Sequence, residues 1–113
     1  MIFIPTDMGN PHKTFPSVHI AGTNGKGSSA HIIAAVMHAA GYKTGLYTSP
    51  HLKRFTERIR IDGKEASEDY VVSFVQAHRK LIEKIQPSFF ELTVAMAFDY
   101  FAREKVEIAV IEV

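Results

Sequence analysis

The sequence predicts an α/β fold of the phosphate-loop type, with a mostly parallel sheet and flanking helices. Two short strand-like runs, Ser17–Ala21 and Lys43–Thr48, enclose a stretch with helical periodicity. A glycine-rich loop joins the first run to that stretch, so strand, loop, helix and strand fit within about 30 residues, the span of a βαβ unit. A third run, Ile108–Ile111, is wholly apolar, as expected of a strand buried on both faces of a parallel sheet.

The first half of the chain accordingly divides into two strands and one helix. Residues 1–16 hold three of the five prolines and are expected to be irregular. The helix is predicted over Gly25–Ala40, and Gly41 follows it as a C-cap glycine. Its apolar stripe repeats at spacings of three and four residues and consists of Ile32, Ile33, Val36, Met37 and Ala40.

The middle of the chain is predicted to contain a short edge strand and a helix. Arg58–Asp62 alternates between polar and apolar residues and Gly63 turns it, which favours an edge strand or a hairpin. Ser67 is placed to cap the following helix, and Pro87 ends it. The apolar stripe of this helix consists of Val71, Phe74, Val75, Leu81, Ile82 and Ile85.

The last part of the chain is predicted to form one more helix and the buried strand. Ser88 and Glu91 have the spacing of a capping box, so a helix should run from Phe89 to about Lys105. The strand follows over Val106–Val113. Because a central parallel strand normally continues into a loop and a helix, we expect the chain to be a fragment, the alternative being a small complete domain.

Composition excludes several classes of protein. The 113 residues allow one domain, and the absence of cysteine excludes disulfides and thiolate metal sites. A balance of 13 Lys and Arg against 12 Asp and Glu gives no general attraction to nucleic acid or acidic membranes. No apolar run approaches the ~20 residues that span a bilayer, and no secretory signal is visible. We therefore expect a cytoplasmic protein without nucleic-acid or membrane partners.

The glycine-rich loop has the residue types that bind a phosphate. It reads Gly22, Thr23, Asn24, Gly25, Lys26, Gly27 and Ser28, followed by Ser29. Glycines allow several backbone N–H groups to meet one anion, and a following helix adds its partial positive charge. Lys26 adds a full charge for the outer phosphates, and a serine hydroxyl can reach a phosphate or Mg²⁺.

Other interpretations of this loop remain open. The general phosphate-loop pattern fails at two places, since Ile20 stands where its first glycine belongs and Gly27 replaces the Ser or Thr after Lys26. The residues Gly25 to Ala30 also match G-x-G-x-x-A, a dinucleotide fingerprint, but the second strand ends at Thr48 without the acidic residue that would bind ribose. The plainest alternative is a tight glycine turn with a solvated lysine.

Glu112 favours the phosphate interpretation. It directly follows the apolar run Ile108–Ile111. Carboxyl ends of strands in an open parallel sheet share one crevice, so this carboxylate should lie beside the loop, where a phosphate site needs an acid for Mg²⁺. The alternative is an exposed glutamate at the end of a strand.

Several motifs resemble folylpolyglutamate synthase and dihydrofolate synthase, the folate branch of the Mur ligase superfamily. They are AGTNGKGSSA at 21–30, GLYTSPHLKRFTERIRIDG at 45–63, GNPHKTFPSVHIAGTNGKGS at 9–28, and SFFELTVAMAFDYF with VEIAVIEV near the end. The loop is typical of the superfamily, and LYTSPHL with F.ERI is typical of the folate branch. Together these segments cover nearly the whole chain.

The resemblance implies a ligase that joins L-glutamate to a folate or dihydropteroate carboxyl with ATP and Mg²⁺, through an acyl phosphate. Residues Gly22 to Ser28 would bind the ATP phosphates, with Lys26 as the catalytic residue on the outer ones. Ser49 and Glu112 occupy the positions of the family's Mg²⁺ ligands. Lys53, Arg54 and Arg58 lie in a segment that matches the family's mobile loop; they would meet an anionic substrate or cover ATP, or else be solvated charges.

The resemblance also implies that residues 1–113 are part of an ATP-binding domain, an incomplete Mur-ligase central domain, and that the C-terminal glutamate-ligase domain is absent. We therefore expect the chain as given to lack ligase activity, and its last strand to leave an apolar sheet edge that weakens the folded monomer.

Alternative functions are another phosphate-loop ATPase or kinase, and a non-catalytic nucleotide-binding module. Nucleic-acid binding has in its favour only a basic cluster around Lys53, whose charge is reduced by acidic residues nearby.

The remaining histidines and aromatic residues are expected to have structural roles. His19 is predicted in a buried strand, and His31 and His38 lie on the first helix without a metal-ligand spacing. A second group of side chains is assigned to the core rather than to a stack on folate: Phe89, Phe90, Phe98, Tyr100 and Phe101.

Overall fold

The computed structural model of the chain describes residues 15–20, 26–48 and 55–112, and of residues 26–28 the backbone alone. Its strands are β1 (Ser17–Ile20), β2 (Thr44–Tyr47), β3 (Ile59–Ile61), β4 (Lys64–Glu65) and β5 (Ile108–Glu112). They form one sheet in the order β1-β5-β2-β3-β4. The first three strands in that order are parallel, and β3 and β4 add an antiparallel hairpin. The predicted α/β fold class is confirmed.

β5 is the central strand of the parallel part of this sheet. It pairs with β1 from Ser17 opposite Ala109 and with β2 from Thr44 opposite Ile108. The expectation that the last strand lacks a neighbour beyond it is therefore wrong: within the described ranges, β1 and β4 are the outer strands. The outer strand β1 alternates between exposed and half-buried residues, so it is not an apolar edge.

The first helix, α1 (Lys26–Ala39), covers one face of the parallel strands. It packs through Ala30, Ile33 and Ala34 against Leu46 and Val110. Two members of the predicted apolar stripe, Ile32 and Val36, are instead exposed. The small alanine side chains let the helix axis approach the sheet closely, and the contact line is thereby shifted to one side of the predicted stripe.

Gly41 ends α1 as predicted. Its φ of +98° lies in the left-handed region, which glycine adopts without strain. The Gly41 N–H donates to the His38 carbonyl at 2.9 Å and the Tyr42 N–H donates to the Met37 carbonyl at 3.1 Å, the two bonds of a Schellman motif. The chain is thereby turned back toward β2.

The hairpin of β3 and β4 uses a two-residue turn at Asp62 and Gly63. Both residues have positive φ, 51° and 83°, as a type I′ turn requires. The Asp62 carboxylate accepts the Thr44 N–H at 2.9 Å, which ties this turn to the start of β2. The predicted edge hairpin is confirmed.

The helix predicted to end at Pro87 is divided in two. Ser67 caps α2 (Glu68–Ala77), where its hydroxyl accepts the Tyr70 N–H at 3.0 Å. The backbone leaves the helical region at His78, with ψ of 17°, and α3 (Arg79–Ile85) follows. The His78 ring packs on Phe74 with its Nδ1 2.9 Å from the Phe74 carbonyl oxygen, a side-chain contact that accompanies the break.

The longest helix, α4 (Phe89–Arg103), packs on the other face of the sheet. Both bonds of the predicted capping box are present: the Ser88 N–H donates to Glu91 Oε1 and the Glu91 N–H to Ser88 Oγ. The main core lies between this helix and the sheet. Its largest members are Phe15, Tyr47, Ile59, Ile61, Phe74, Met96, Phe98, Phe101 and Ile111.

Gly45 marks the closest approach of α4 to the sheet. A Cβ at this position would lie 2.7 Å from a ring carbon of Phe101. We expect Gly45→Ala to destabilise the fold by about 1–3 kcal/mol, because the ring must leave its place in the core. Urea unfolding would measure the change. Phe101→Leu, which shortens the opposing side chain, should make the same substitution less costly; an unchanged unfolding midpoint in Gly45→Ala alone would contradict the packing.

Tyr70 joins α2 to α4 and should give the fold a sensitivity to alkali. Its hydroxyl donates to Asp99 Oδ2 at 2.6 Å and lies 3.0 Å from the Met96 carbonyl. Burial, with the hydrogen bond to Asp99, raises the pKa of Tyr70 above its usual 10.0. The unfolded chain therefore loses this proton first, and the stability is present below about pH 10 and falls as pH rises above it.

We expect the free energy of unfolding to fall more steeply above about pH 10 in the native chain than in Tyr70→Phe. Urea titrations on both sides of that pH would measure the slope. Tyr42→Phe, at an exposed tyrosine, is the matched control and should keep the native slope. Equal slopes in all three proteins would show that the Tyr70 proton does not contribute.

Candidate functional site

Three parallel strands end together at one edge of the sheet. Ile20, the last residue of β1, lies opposite Glu112, the last residue of β5. Tyr47, the last residue of β2, lies opposite Ile111. Chain segments that follow β1 and β2 therefore leave the sheet beside Glu112, at what we call the carboxyl edge. In open α/β sheets this edge is where ligands bind.

Glu112 lies on the face of the sheet that α1 covers. Alternate residues of a strand share a face, so Glu112 is on the side of Val110, which packs against Ala30 of α1. Only 3% of the surface of Glu112 is exposed. The expectation that this acid ends a buried strand is confirmed, and a glutamate free in solvent is excluded. A buried carboxylate at a strand end is a suitable oxygen ligand for a hard cation.

The N-terminus of α1 also lies at the carboxyl edge. Five residues separate the end of β1 at Ile20 from the start of the helix at Lys26. The backbone N–H groups of the first turn have no partners within a helix, and they carry its partial positive charge. Because α1 runs back over β5, this positive end is on the same face as Glu112.

The predicted site residues divide between described and undescribed parts of the chain. Gly22, Thr23, Asn24, Gly25 and Ser49 lie outside the described residues, as do Lys53 and Arg54. Lys26, Gly27 and Ser28 form the first turn of α1, where the backbone alone is described. Glu112 is thus the one predicted ligand whose side chain is placed by the structure. The roles of all these residues remain predictions.

Hydrogen bonds fix the backbone at the end of β2, around Tyr47 and Thr48, which we call the exit of β2. The buried Thr48 N–H donates to the Arg58 carbonyl at 3.0 Å. On the other face, the Tyr47 hydroxyl lies 2.9 Å from Thr93 Oγ1, and Thr93 Oγ1 donates to the Phe90 carbonyl at 2.9 Å. The first contact joins Thr48 to Arg58, the second joins Tyr47 to the N-terminal part of α4, and no local sequence pattern indicates either.

An exposed aromatic surface lies beside this exit. Phe89 is 61% exposed and Phe90 is 46% exposed, so the expectation that both belong to the core is wrong. Phe55 packs edge-on against Phe89 with ring centroids 5.8 Å apart. The Arg58 guanidinium lies over the Phe89 ring at 5.7 Å, a cation–π contact. Phe98 and Phe101 are buried as expected, and Tyr100 is half-buried.

The reason for this exposure is the position of the two rings on α4. They occupy the first turn after the Ser88 cap, ahead of the turns whose side chains are buried in the core. Buried side chains of the helix begin at Thr93. The capping box in the sequence therefore already indicates that Phe89 and Phe90 precede the packed turns.

The three histidines expected to have structural roles lie on the surface. His19, His31 and His38 are exposed. The expected burial of His19 is therefore wrong, because β1 is an outer strand. His38 Nδ1 is 3.0 Å from Asp62 Oδ1, near the opposite edge of the sheet. Across the described ranges, no three histidine or acidic side chains converge as a metal site.

Among the described helices, none has both the length and the apolar character needed to cross a bilayer. The arrangement as a whole is that of an open α/β protein with an acid and a helix N-terminus at the carboxyl edge of its sheet. Proteins of this class bind ligands at that edge.

Comparison with known proteins identifies the relatives of this chain. No protein-family model matches it. Folylpolyglutamate synthase of Lacticaseibacillus casei is 42% identical over an alignment of 113 positions that covers 94% of this chain and 26% of that protein. The crystal structure of the Thermotoga maritima folylpolyglutamate synthase superposes with a TM-score of 0.93 at 42% identity, over 97% of this chain and 28% of that one.

A third relative has a bound nucleotide. The Mycobacterium tuberculosis folylpolyglutamate synthase, complexed with ADP, gives a TM-score of 0.91 at 41% identity, over 97% of this chain and 26% of that chain. The predicted resemblance to the folylpolyglutamate synthases is therefore confirmed in sequence and in fold. The chain spans about a quarter of the length of these relatives.

Proposed function

We propose that this chain supplies the nucleotide-binding part of an ATP-dependent ligase that joins L-glutamate to the carboxyl group of a folate or dihydropteroate. The observation that carries the proposal is the convergence of Glu112, the end of β1 and the N-terminus of α1 at one edge of the sheet. Similarity to folylpolyglutamate synthases over 94% of the chain supports the choice of reaction.

In this proposal the loop from Gly22 to Ser28 binds the ATP phosphates through backbone N–H groups and the positive end of α1. Lys26 neutralises charge on the outer phosphates. Glu112 and Ser49 hold Mg²⁺, and the buried carboxylate of Glu112 fits that role because Mg²⁺ prefers oxygen ligands. Bound Mg²⁺ supplies charge neutralisation for the phosphates.

The proposed reaction has two steps. A carboxylate oxygen of the acceptor attacks the γ-phosphorus of ATP, and the bond between that phosphorus and the β-phosphate oxygen breaks. ADP departs, and the acceptor becomes an acyl phosphate. The glutamate amine then attacks the acyl carbon, inorganic phosphate leaves, and the amine loses a proton to give the amide. Catalysis of such phosphoryl transfer depends mainly on positioning and electrostatic stabilisation. A site of backbone N–H donors, a lysine and an acid can supply both.

The exposed aromatic surface provides a place for the acceptor. Phe55 and Phe89 present rings at the exit of β2, and Arg58 adds a positive charge beside them. A pteroate has aromatic rings, which can stack on these phenylalanine rings, and a carboxylate, which can pair with the positive charge of Arg58. The hydrogen bond from the Thr48 N–H to the Arg58 carbonyl holds Arg58 beside Thr48, the residue that precedes the proposed Mg²⁺ ligand Ser49 in sequence.

We further propose that residues 1–113 belong to the ATP-binding domain of a cytoplasmic enzyme and that its glutamate-ligase domain lies in sequence outside this chain. The chain's proposed partners are thus ATP, the acceptor, L-glutamate and that second domain. The fact that these residues span only 26% of the L. casei enzyme supports this division.

Calorimetric titration with MgATP tests the phosphate site. We expect Lys26→Ala to weaken binding about tenfold or more, because one full charge on the phosphates is lost. Lys80→Ala, at an exposed lysine of α3, is the matched control and should bind as the native chain does.

The same titration at several Mg²⁺ concentrations tests the proposed metal ligand. Glu112→Gln should remove most of the Mg²⁺ dependence of ATP binding. Glu107→Gln, just before the other end of β5, should keep it.

Two outcomes would overturn the assignment. A folded native chain that does not bind MgATP would reject the phosphate site for this chain. Equal effects of Lys26→Ala and Lys80→Ala would show that the loop is a glycine turn with a solvated lysine. Separately, binding with ATP turnover that pteroate or folate does not stimulate would favour another ATPase or kinase. Binding without turnover is expected both of a part of the ligase and of a non-catalytic module, and pteroate binding distinguishes these two.

Substitution in the aromatic surface tests the acceptor. We expect Phe89→Ala to weaken pteroate binding roughly two- to twelvefold, since a stacked ring is worth about 0.5–1.5 kcal/mol beyond its buried area. Fluorescence titration with pteroate would measure it, and MgATP binding should be unchanged. Tyr42→Ala, at an exposed aromatic residue near the opposite edge, is the control. Equal pteroate affinity in both variants would rule out this surface.

A further inference from the structure

We infer that the Thr48 hydroxyl is a further oxygen ligand for the Mg²⁺ ion proposed beside Glu112. This inference rests on the proposed function, because it concerns that metal ion. Thr48 is only 3% exposed, and its backbone N–H donates to the Arg58 carbonyl. Its side-chain oxygen, in contrast, has no hydrogen-bond partner among the described residues. A buried hydroxyl without a partner is the observation that carries the inference.

The other buried threonines in the described ranges all use their hydroxyl groups. Thr44 and Thr56 each donate a hydrogen bond at 2.9 Å, the first to a backbone carbonyl and the second to a carboxylate. Thr93 also donates to a backbone carbonyl at 2.9 Å. Buried polar groups in folded proteins are almost always bonded, so an exception needs an explanation. Thr48 is the exception, and it lies at the edge of the sheet where ligands bind.

Thr48 and Glu112 lie on the same face of the sheet. The N–H bond of Thr48 continues the antiparallel register of β2 with β3, so the strand geometry extends through this residue. Alternate residues share a face, which places Thr48 with Leu46, on the side of α1. Leu46 pairs with Val110 of β5. Thr48 and Glu112 each lie two residues further along, so they are neighbours on adjacent strands, whose axes are about 4.8 Å apart.

The first turn of α1 reaches the same level of the sheet. Ala30 packs against Leu46, and the helix begins four residues earlier, at Lys26. One helical turn brings its first residue about 5.4 Å closer to the carboxyl edge. Thr48 and Glu112 lie about 6.6 Å beyond Leu46 and its partner, since a strand rises about 3.3 Å per residue. Backbone N–H groups, a hydroxyl and a carboxylate are therefore brought together.

This combination favours a cation that bridges to phosphate over a phosphate alone. A phosphate oxygen placed directly against the Glu112 carboxylate would be repelled, whereas Mg²⁺ between the two is attracted by both. Mg²⁺ prefers oxygen ligands, and phosphate-loop proteins hold it with one hydroxyl and one acid. The Thr48 oxygen has lone pairs for this purpose, and no hydrogen bond within the described part of the chain competes for them.

Removal of the hydroxyl tests the inference, because metal binding and stability should respond differently. We expect Thr48→Val to raise the Mg²⁺ concentration at half-maximal ATP binding about tenfold, as calorimetric titrations at several Mg²⁺ concentrations would measure. Without ligand, its melting temperature should equal or exceed the native value, because no hydrogen bond is lost. Thr48→Ser keeps the hydroxyl and should retain the native Mg²⁺ midpoint.

Thr44→Val is the matched control, at a buried threonine on the same face of β2 but at its other end. It loses the hydrogen bond to the Tyr42 carbonyl, so its melting temperature should fall while its Mg²⁺ midpoint stays native. A native midpoint in Thr48→Val, or a melting temperature lowered as far as in Thr44→Val, would overturn the inference and leave the proposed function standing. Absence of Mg²⁺-dependent ATP binding in the native chain would overturn the proposed function and this inference with it.

Discussion

The parallel pairing of β5 with both β1 and β2 is the constraint on which the rest of the molecule depends. It buries Ala109, Val110 and Ile111 and gives α1 and α4 one continuous surface on each face of the sheet. The same pairing brings three strand ends to one edge in register. Packing and site geometry therefore have a single origin, and a shift of β5 by one residue would move Glu112 to the wrong face.

Local signals in the sequence predicted most of the elements correctly. The capping box of Ser88 and Glu91, the C-cap at Gly41 and the Asp62-Gly63 turn depend on residues close to one another in sequence, and each is present. The order of the strands depends on contacts between distant residues. For this reason the outer position of β1, and with it the exposure of His19, was not apparent from local patterns.

Only part of the candidate site could be predicted, because some of its residues have a local sequence signal and others depend on contacts between distant residues. An acid after an apolar run indicates a strand end, so Glu112 could be assigned before the fold was known. The aromatic rings of Phe89 and Phe90 were misassigned because hydrophobicity alone does not distinguish the packed turns of a helix from an exposed first turn. The bond between Tyr47 and Thr93 joins residues that no local pattern connects.

The central position of β5 also has a consequence for the order in which the chain folds. Among the described strands it is the last to be synthesised, yet β1 and β2 pair only with it or with the hairpin. Until β5 emerges, β1 has no partner among these strands and one long side of β2 is unpaired. The parallel sheet therefore forms through non-local contacts only after β5 has been synthesised, which is slow and leaves apolar strands open to association. Chaperone protection of the nascent chain would matter most in that interval.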